Sequence, residues 1–275
     1  MSESELAKQL NQQILDAYMT VGERTKLGDS DLKTAQVLVE VMELKIKLNE
    51  AHPATIGLAR LTLASALDGE GDYPQAIEMA DLAVAGIAEK LGEDHLLCLQ
   101  AMQRKGELMV RLQPKDALAV FETARNMEQA KAEPDLAFVG EIQLSIARLY
   151  MLYGLLDDAI RVLQAIDNNE SMNAYSRVQA IYLMALMANL KTNFQESNVL
   201  IDRALAITIE DLRRERTMKA RLLKLKGDNY FAMGQREDAI KTYKLALTNV
   251  PGIGGYRLLK NINQALSVAQ KADAN

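Results

Sequence analysis

The sequence predicts an all-α chain, a solenoid of about six helical hairpins closed by a C-terminal capping helix. Three observations carry that reading. Apolar residues recur at helical spacing along nearly the whole chain. A small residue opens the second helix of each pair at Ala35, Ala76, Ala117, Ala159, Ser197 and Ala239, with spacings of 41, 41, 42, 38 and 42 residues. Turn-forming residues precede most of these positions: Gly28 with Asp29, Gly71 with Asp72, Pro114 with Lys115, Gly154, Asn193 and Gly234.

Taken in order, the second helices begin AQVLVEVM, AIEMADLA, ALAVFETA, AIRVLQAI, SNVLIDRA and AIKTYKLA, each with apolar residues along one helical stripe. The sixth pair is the clearest. Gly227 and Tyr230 lie on its first helix, Gly234 ends that helix, and Ala239, Tyr243 and Ala246 follow an i, i+4, i+7 stripe on the second, which Pro251 stops. Gly227 lets a neighbouring helix come close, and the small Ala239 and Ala246 permit an interaxial distance of about 8 to 10 Å. Tyr230 and Tyr243 fill the space left by the small residues. Residues 255 to 272 place Leu258, Leu259, Ile262, Leu266 and Ala269 on one side of a last amphipathic helix, which suits a cap, and Asp273 to Asn275 read as a frayed end. The expected organisation is a repeat solenoid over 1–251 and a capping helix with its tail over 252–275. No hairpin of this size buries its apolar face alone, so the units must stack and pool their cores.

The composition agrees. Of 275 residues, 49% are hydrophobic and 25% charged, with 5 Pro and no Trp, as in ordered helix-rich proteins. The N-terminal MSESELAKQLNQQILD is too often interrupted by charged and amide residues for a secretion signal, and no apolar run reaches membrane-spanning length, so the expected location is the cytoplasm. Cys98 is the single cysteine, which excludes an intrachain disulfide and a cysteine-based metal cage. Charge is uneven: residues 1–140 carry 14 basic and 23 acidic side chains, a net of -9, and 141–275 carry 18 and 14, a net of +4. That distribution argues against a nucleic-acid binder, which presents an extended basic surface.

Gly227, Tyr230, Gly234, Ala239, Tyr243, Ala246 and Pro251 stand in the register of the tetratricopeptide repeat (TPR) signature, which this chain resembles. Leu149, Tyr150, Gly154 and Ala159 match it in part, as do Gly106, Ala117, Phe121 and Ala124 with a turn one residue shorter. Repeats of 41 to 42 residues, with His52-Pro53 and Asp94-His95 introducing first helices, resemble the longer variant of kinesin light chains. The resemblance implies a right-handed α-α superhelix whose first helices line a concave groove that holds a peptide or helix of a partner. On that implication, Arg24, Ser65, Gln103, Glu107, Arg148, Tyr182, Asn189, Lys224 and Asp228 are the partner-binding candidates. The chain departs from the variant where paired asparagines would stand, since its first helices read LARLTLASAL and LQAMQRKGEL. Lys224 is followed one turn later by Asp228 and not by asparagine, so the carboxylate clamp of TPR co-chaperones is not evident.

Residues that suggest chemistry have plainer readings. His52 and His95, 43 residues apart, are two ligands without a third and read as helix-start residues. Cys98 lies in an apolar LLCLQAM run that raises its pKa, with no base-orienting group beside it. Pro251 to Gly255 is glycine-rich but follows a helix and lacks a Gly-Lys-Ser/Thr ending, so it reads as a joint and not a phosphate loop. Asp157-Asp158 and Glu237-Asp238 complement helix dipoles at the starts of second helices. Met184, Met187, Met218 and Met233 read as inter-hairpin packing. Neither a catalytic constellation nor a cofactor motif is legible; the expectation is a non-enzymatic chain with no cofactor and no metal site.

The most distinctive charge feature is DLRRERTMKARLLKLK at 211–226, where Arg213, Arg214, Arg216, Lys219, Arg221, Lys224 and Lys226 face only two acids. It reads either as a solvated helix face or as attraction for an acidic peptide, a carboxylate or an anionic surface. The functional expectation is an adaptor that binds another protein or peptide, acidic in character, in the groove. The alternative is a regulatory module that senses a peptide or small molecule and acts through a separate output protein.

Overall fold

The computed structural model describes residues 3–24, 31–209, 212–251 and 255–271. Among the described residues there are thirteen helices and no strand. They are α1 Glu3–Arg24, α2 Asp31–Lys47, α3 Thr55–Glu70, α4 Tyr73–Leu91, α5 Leu96–Met109, α6 Pro114–Gln129, α7 Leu136–Leu152, α8 Leu156–Asp167, α9 Ala174–Leu190, α10 Phe194–Ala206, α11 Leu212–Ala232, α12 Arg236–Thr248 and α13 Tyr256–Lys271. Twelve pair off in chain order into six hairpins, and the thirteenth follows the last pair, as the repeat spacing predicts. Packing divides the chain into two compact units, Met1–Asp135 with α1 to α6 and Leu136–Asn275 with α7 to α13.

All six small residues that open the second helices are fully buried, at 0% exposure. Each first helix from α3 onward supplies a small counterpart eleven or twelve residues upstream: Ala64, Gly106, Ala147, Ala185 and Gly227, all buried. The sequence reading names only the two glycines of that set. Their need is steric: a Cβ on Gly106 would stand 2.5 Å from Phe121 Cε1, and one on Gly227 would stand 2.5 Å from Tyr243 Cε1. The aromatic ring of the second helix thus lies on the bare backbone of the first.

The turns inside the hairpins repeat one hydrogen-bond pattern. At Gly71, Gly154 and Gly234 the backbone is left-handed, with φ of 86, 73 and 76°. The next residue donates its N–H five positions back, Asp72 to Leu67 O at 2.9 Å, Leu155 to Tyr150 O at 2.9 Å and Gln235 to Tyr230 O at 2.9 Å. In the fifth hairpin the same arrangement is built on Thr192, φ 59°, with Asn193 N–H reaching Ala188 O at 2.9 Å. Asn193, the turn residue that the sequence suggests there, closes that turn and is also the N-cap of α10. The third turn is one residue shorter and ends with Pro114 in the first turn of α6. The expected turn at Gly28 and Asp29, the joint at Gly252 to Gly254 and the tail Asp273 to Asn275 lie outside the described residues.

In the second unit α7, α9, α11 and α13 touch in succession, while α8, α10 and α12 each lie between two of these first-type helices. Helices that touch their like neighbours occupy the shorter arc, so the first helices form the inner layer of this unit. In the first unit α1 touches α3 and α3 touches α5, with α2 and α4 set against the first helices on either side. The core of the second unit runs through Val139, Leu163, Ile181, Ile201 and Leu222. Ile262 and Ala269 of α13 join Leu223, Tyr243 and Ala246, so the last helix covers apolar surface that the sixth hairpin leaves bare. Met184, Met187 and Met218 are buried in the same core.

Candidate interaction surface

In the first unit, an arginine that the sequence reading does not single out organises the first-helix wall. Arg104 of α5 donates from Nε and Nη2 to Ser65 Oγ of α3, both at 3.3 Å, and pairs with Glu107 at 2.9 Å and Asp68 at 3.7 Å. Two predicted residues, Ser65 and Glu107, are therefore gathered by a third. Gln103 is half-buried on the same helix. Arg24 is the last residue of α1, and its side chain lies outside the described ones. The signal that points to Arg104 is its place one turn before the predicted Glu107 on a first helix, beside the predicted Gln103.

In the second unit the predicted residues divide between wall and structure. Arg148 of α7 is exposed and donates to Gln179 Oε1 of α9 at 2.6 Å. Lys224 and Asp228 pair at 2.7 Å along α11, and Tyr243 O–H donates to the other oxygen of Asp228 at 2.8 Å. That phenol is pushed well above its ordinary range by burial first, then by the Asp228 charge and the hydrogen bond to it. Asp228 is thus held from two sides. Asn189 donates to Asn229 Oδ1 at 2.5 Å, and the buried Asn229 amide donates to Ser197 Oγ and Asn198 Oδ1, each at 2.8 Å. Ser197 in turn donates to Ala185 O at 2.9 Å. Asn189 therefore takes part in a polar network that ties α9, α10 and α11 together.

The helix distributes the seven cations of 213–226 around its circumference. Lys226 pairs with Asp202 of α10 at 2.5 Å and lies 5.8 Å from the Tyr230 ring centroid, and Lys219 pairs with Glu215. Arg216 donates to Thr248 O at the C-terminal end of α12 at 3.2 Å, and Arg214 stacks 4.9 Å over the Tyr175 ring. Thr217, Arg221, Lys224 and Asp228, at i, i+4, i+7 and i+11, share a different face. Arg213, exposed near the start of α11, completes the segment.

That face opens on a pocket of about 470 Å³ between α9, α11 and α13, lined by Tyr182, Arg221, Lys224, Arg257 and Asn261 among others. A neighbouring pocket of about 360 Å³ shares Lys224 and Asn261 and adds Asp228, Phe231 and Val268. The Tyr182 phenol is raised by burial, with the Arg221 charge pulling the other way and Asp228 adding to the rise.

The two histidines sit where the sequence places them, at helix starts. His52 Nδ1 accepts from Ala54 N–H at 3.1 Å and His95 Nδ1 from Leu97 N–H at 3.2 Å. Among the described residues no group of three or more His, Cys, Asp or Glu is placed to hold a metal ion. No helix among them is long and apolar enough to cross a membrane.

No protein-family model matches the chain, and no curated protein matches it. Solved structures do. A single-substitution variant of a kinesin light chain-like protein of nearly identical TPR-like repeats from Podosopora anserina aligns with a TM-score of 0.52 at 21% identity, covering 80% of this chain and 99% of that one. Its parent aligns with a TM-score of 0.50 at 19% identity, covering 81% and 98%. BtubC (BKLC) from P. vanneervenii aligns with a TM-score of 0.50 at 18% identity, covering 87% and 90%. The likeness is one of fold, and with six helical hairpins and a last helix among the described residues this chain has the TPR-like helical repeat fold seen in these kinesin light chain-like structures.

Proposed function

We propose that the chain is a non-enzymatic protein-interaction scaffold that holds a segment or helix of another protein against the first-helix wall of its hairpins. The observation that carries this is the combination of the repeat fold with walls of partly or fully exposed, spatially ordered polar side chains: Ser65, Arg104 and Glu107 in one unit, Arg148, Tyr182 and Lys224 in the other. First helices of repeat hairpins have one side in the core and one side available, and a rigid stack presents that side at low entropic cost. The core is dominated by small residues and aliphatic side chains, which suits presentation of a surface.

Affinity capture from cell extract, read by mass spectrometry, tests the reading with the intact chain beside Arg104→Glu and Arg148→Glu. Proteins retained by the intact chain and lost by either variant are the expected result. A set retained equally by all three would remove the first-helix wall as the binding surface.

A further inference from the structure

We propose that the chain associates with a second copy of itself through its second helices, with α4 of one copy lying against α12 of the other. This surface is separate from the first-helix wall and does not depend on how that wall is used. Counted from the small residue that opens each second helix, the same three positions hold Glu78, Asp81 and Leu82 in α4 and Lys241, Lys244 and Leu245 in α12. All six are exposed, Leu82 at 43% and Leu245 at 53%. The opposite sides of the two helices place Ala76, Ala80 and Ala83, or Ala239, Tyr243 and Ala246, in the core, so both stripes face away from it. The other four second helices carry neither two like charges nor a leucine at these positions. One helix thus offers a leucine beside two acids, and another offers a leucine beside two lysines.

Laid side by side in the same direction, the two helices bring Glu78 to Lys241, Asp81 to Lys244 and Leu82 to Leu245, an apolar centre flanked by opposite charges. The neighbouring charges do not oppose that register. Glu237 and Asp238, the acids in the first turn of α12, stand level with Pro74 and Gln75, so no acid meets an acid. Asp81 is bridged from α5 by Lys105 at 2.6 Å, yet its side chain stays 51% exposed. Among the described residues Glu78, Lys241 and Lys244 form no ion pair, which leaves their charges to a partner.

The wider field agrees with a second copy as the occupant. Residues 68–94, which include α4, carry eight acidic side chains and one lysine, a net of -7. Residues 212–271, which include α12, carry 13 basic and 4 acidic side chains, a net of +9. Residues 141–211 carry 5 basic and 9 acidic, so the positive excess of the second half comes entirely from its last three helices. A single chain therefore holds both halves of one attraction. Because the two stripes differ, each contact between two copies leaves one stripe of each kind for a reciprocal contact or for a further copy.

Sedimentation velocity of the intact chain over a concentration series, at low and at raised salt, is the test. A sedimentation coefficient that rises with concentration, and rises less at raised salt, is the expected result for a small and partly ionic contact. Glu78→Lys/Asp81→Lys makes both stripes basic, and Lys241→Glu/Lys244→Glu makes both acidic. Each variant alone should associate at least about tenfold more weakly than the intact chain, while an equimolar mixture of the two should recover association. Lys241→Glu/Lys244→Glu touches no ion pair of the fold, so its result stands on its own if loss of the Lys105 bridge disturbs the other variant, and an unchanged helical spectrum checks both. The proposal is overturned by an intact chain that sediments as a monomer throughout, since the stripes would then be covered by something other than a second copy. Undiminished association of the folded variants, or a mixture of folded variants that associates no better than its components, would also overturn it.

Discussion

Thr192 holds a left-handed backbone that three counterpart turns assign to glycine, at Gly71, Gly154 and Gly234. A β-branched residue there carries about 1 to 2 kcal/mol of strain. Thr192→Gly should therefore stabilise the chain by about 0.5 to 1 kcal/mol, after the added freedom of the unfolded glycine is subtracted, and chemical denaturation measures it. Lower stability in the variant would mean that the threonine side chain contributes more than its backbone costs. Cys98 offers a second test. Its buried thiol is pushed up to about 11 by desolvation first and then by the charges of Glu93 and Asp94. The folded chain keeps that proton while the unfolded chain loses it near an ordinary value of about 9, so Cys98 favours folding below that value and the benefit disappears as pH rises to about 11. Iodoacetamide at mildly alkaline pH should label Cys98 slowly in the native chain and rapidly after unfolding. Equal rates would place the thiol at the surface. The histidine caps predict a third outcome: His95→Ala should cost about 1 kcal/mol and His95→Asn much less, because asparagine also accepts from a helix N-terminus.

At the scale of the helix pair, Ala239 and Gly227 fix how closely α11 and α12 approach. Ala239 is fully buried, and Ala239→Phe should destabilise the chain by about 1 to 3 kcal/mol or more by forcing the pair apart; a retained melting temperature would contradict the register. Pairing, turn positions and the buried small residues of the second helices are legible in the sequence because each is a local steric requirement repeated at a fixed period. The small residues of the first helices are partly hidden, since alanine at 64, 147 and 185 blends with ordinary helix composition where glycine at 106 and 227 does not. Thr192 escapes because no propensity marks a threonine for a positive φ. Of the candidate wall, Arg148, Tyr182 and Lys224 follow from helical register, whereas Arg104, Gln179 and Asn229 depend on which helices become neighbours. The basic segment is not one surface in the fold, because a helix sends its cations to several sides, and Lys219, Lys224 and Lys226 of the seven pair with carboxylates. Arg257, some thirty residues downstream, joins Arg221 only through the packing of α13.

The whole molecule consists of two compact units that also differ in charge. Residues 136 to 140 carry no charge, so the boundary between the units coincides with the change of sign, -9 in the first unit and +4 in the second. Each unit has its own core, and hairpins within a unit support one another through nearest-neighbour contacts, the energetic form expected of a repeat array. The order of first helices within the second unit is the claim on which the wall, the pocket and the role of the cap all depend. Its most direct test uses cysteine pairs and a short bismaleimide cross-linker in a Cys98→Ala background. A pair at Arg148 and Gln179, on the adjacent α7 and α9, should cross-link readily, whereas a pair at Arg148 and Lys224, with α9 standing between their helices, should not. Equal cross-linking of the two pairs would contradict the stacked order and with it the account of the surface.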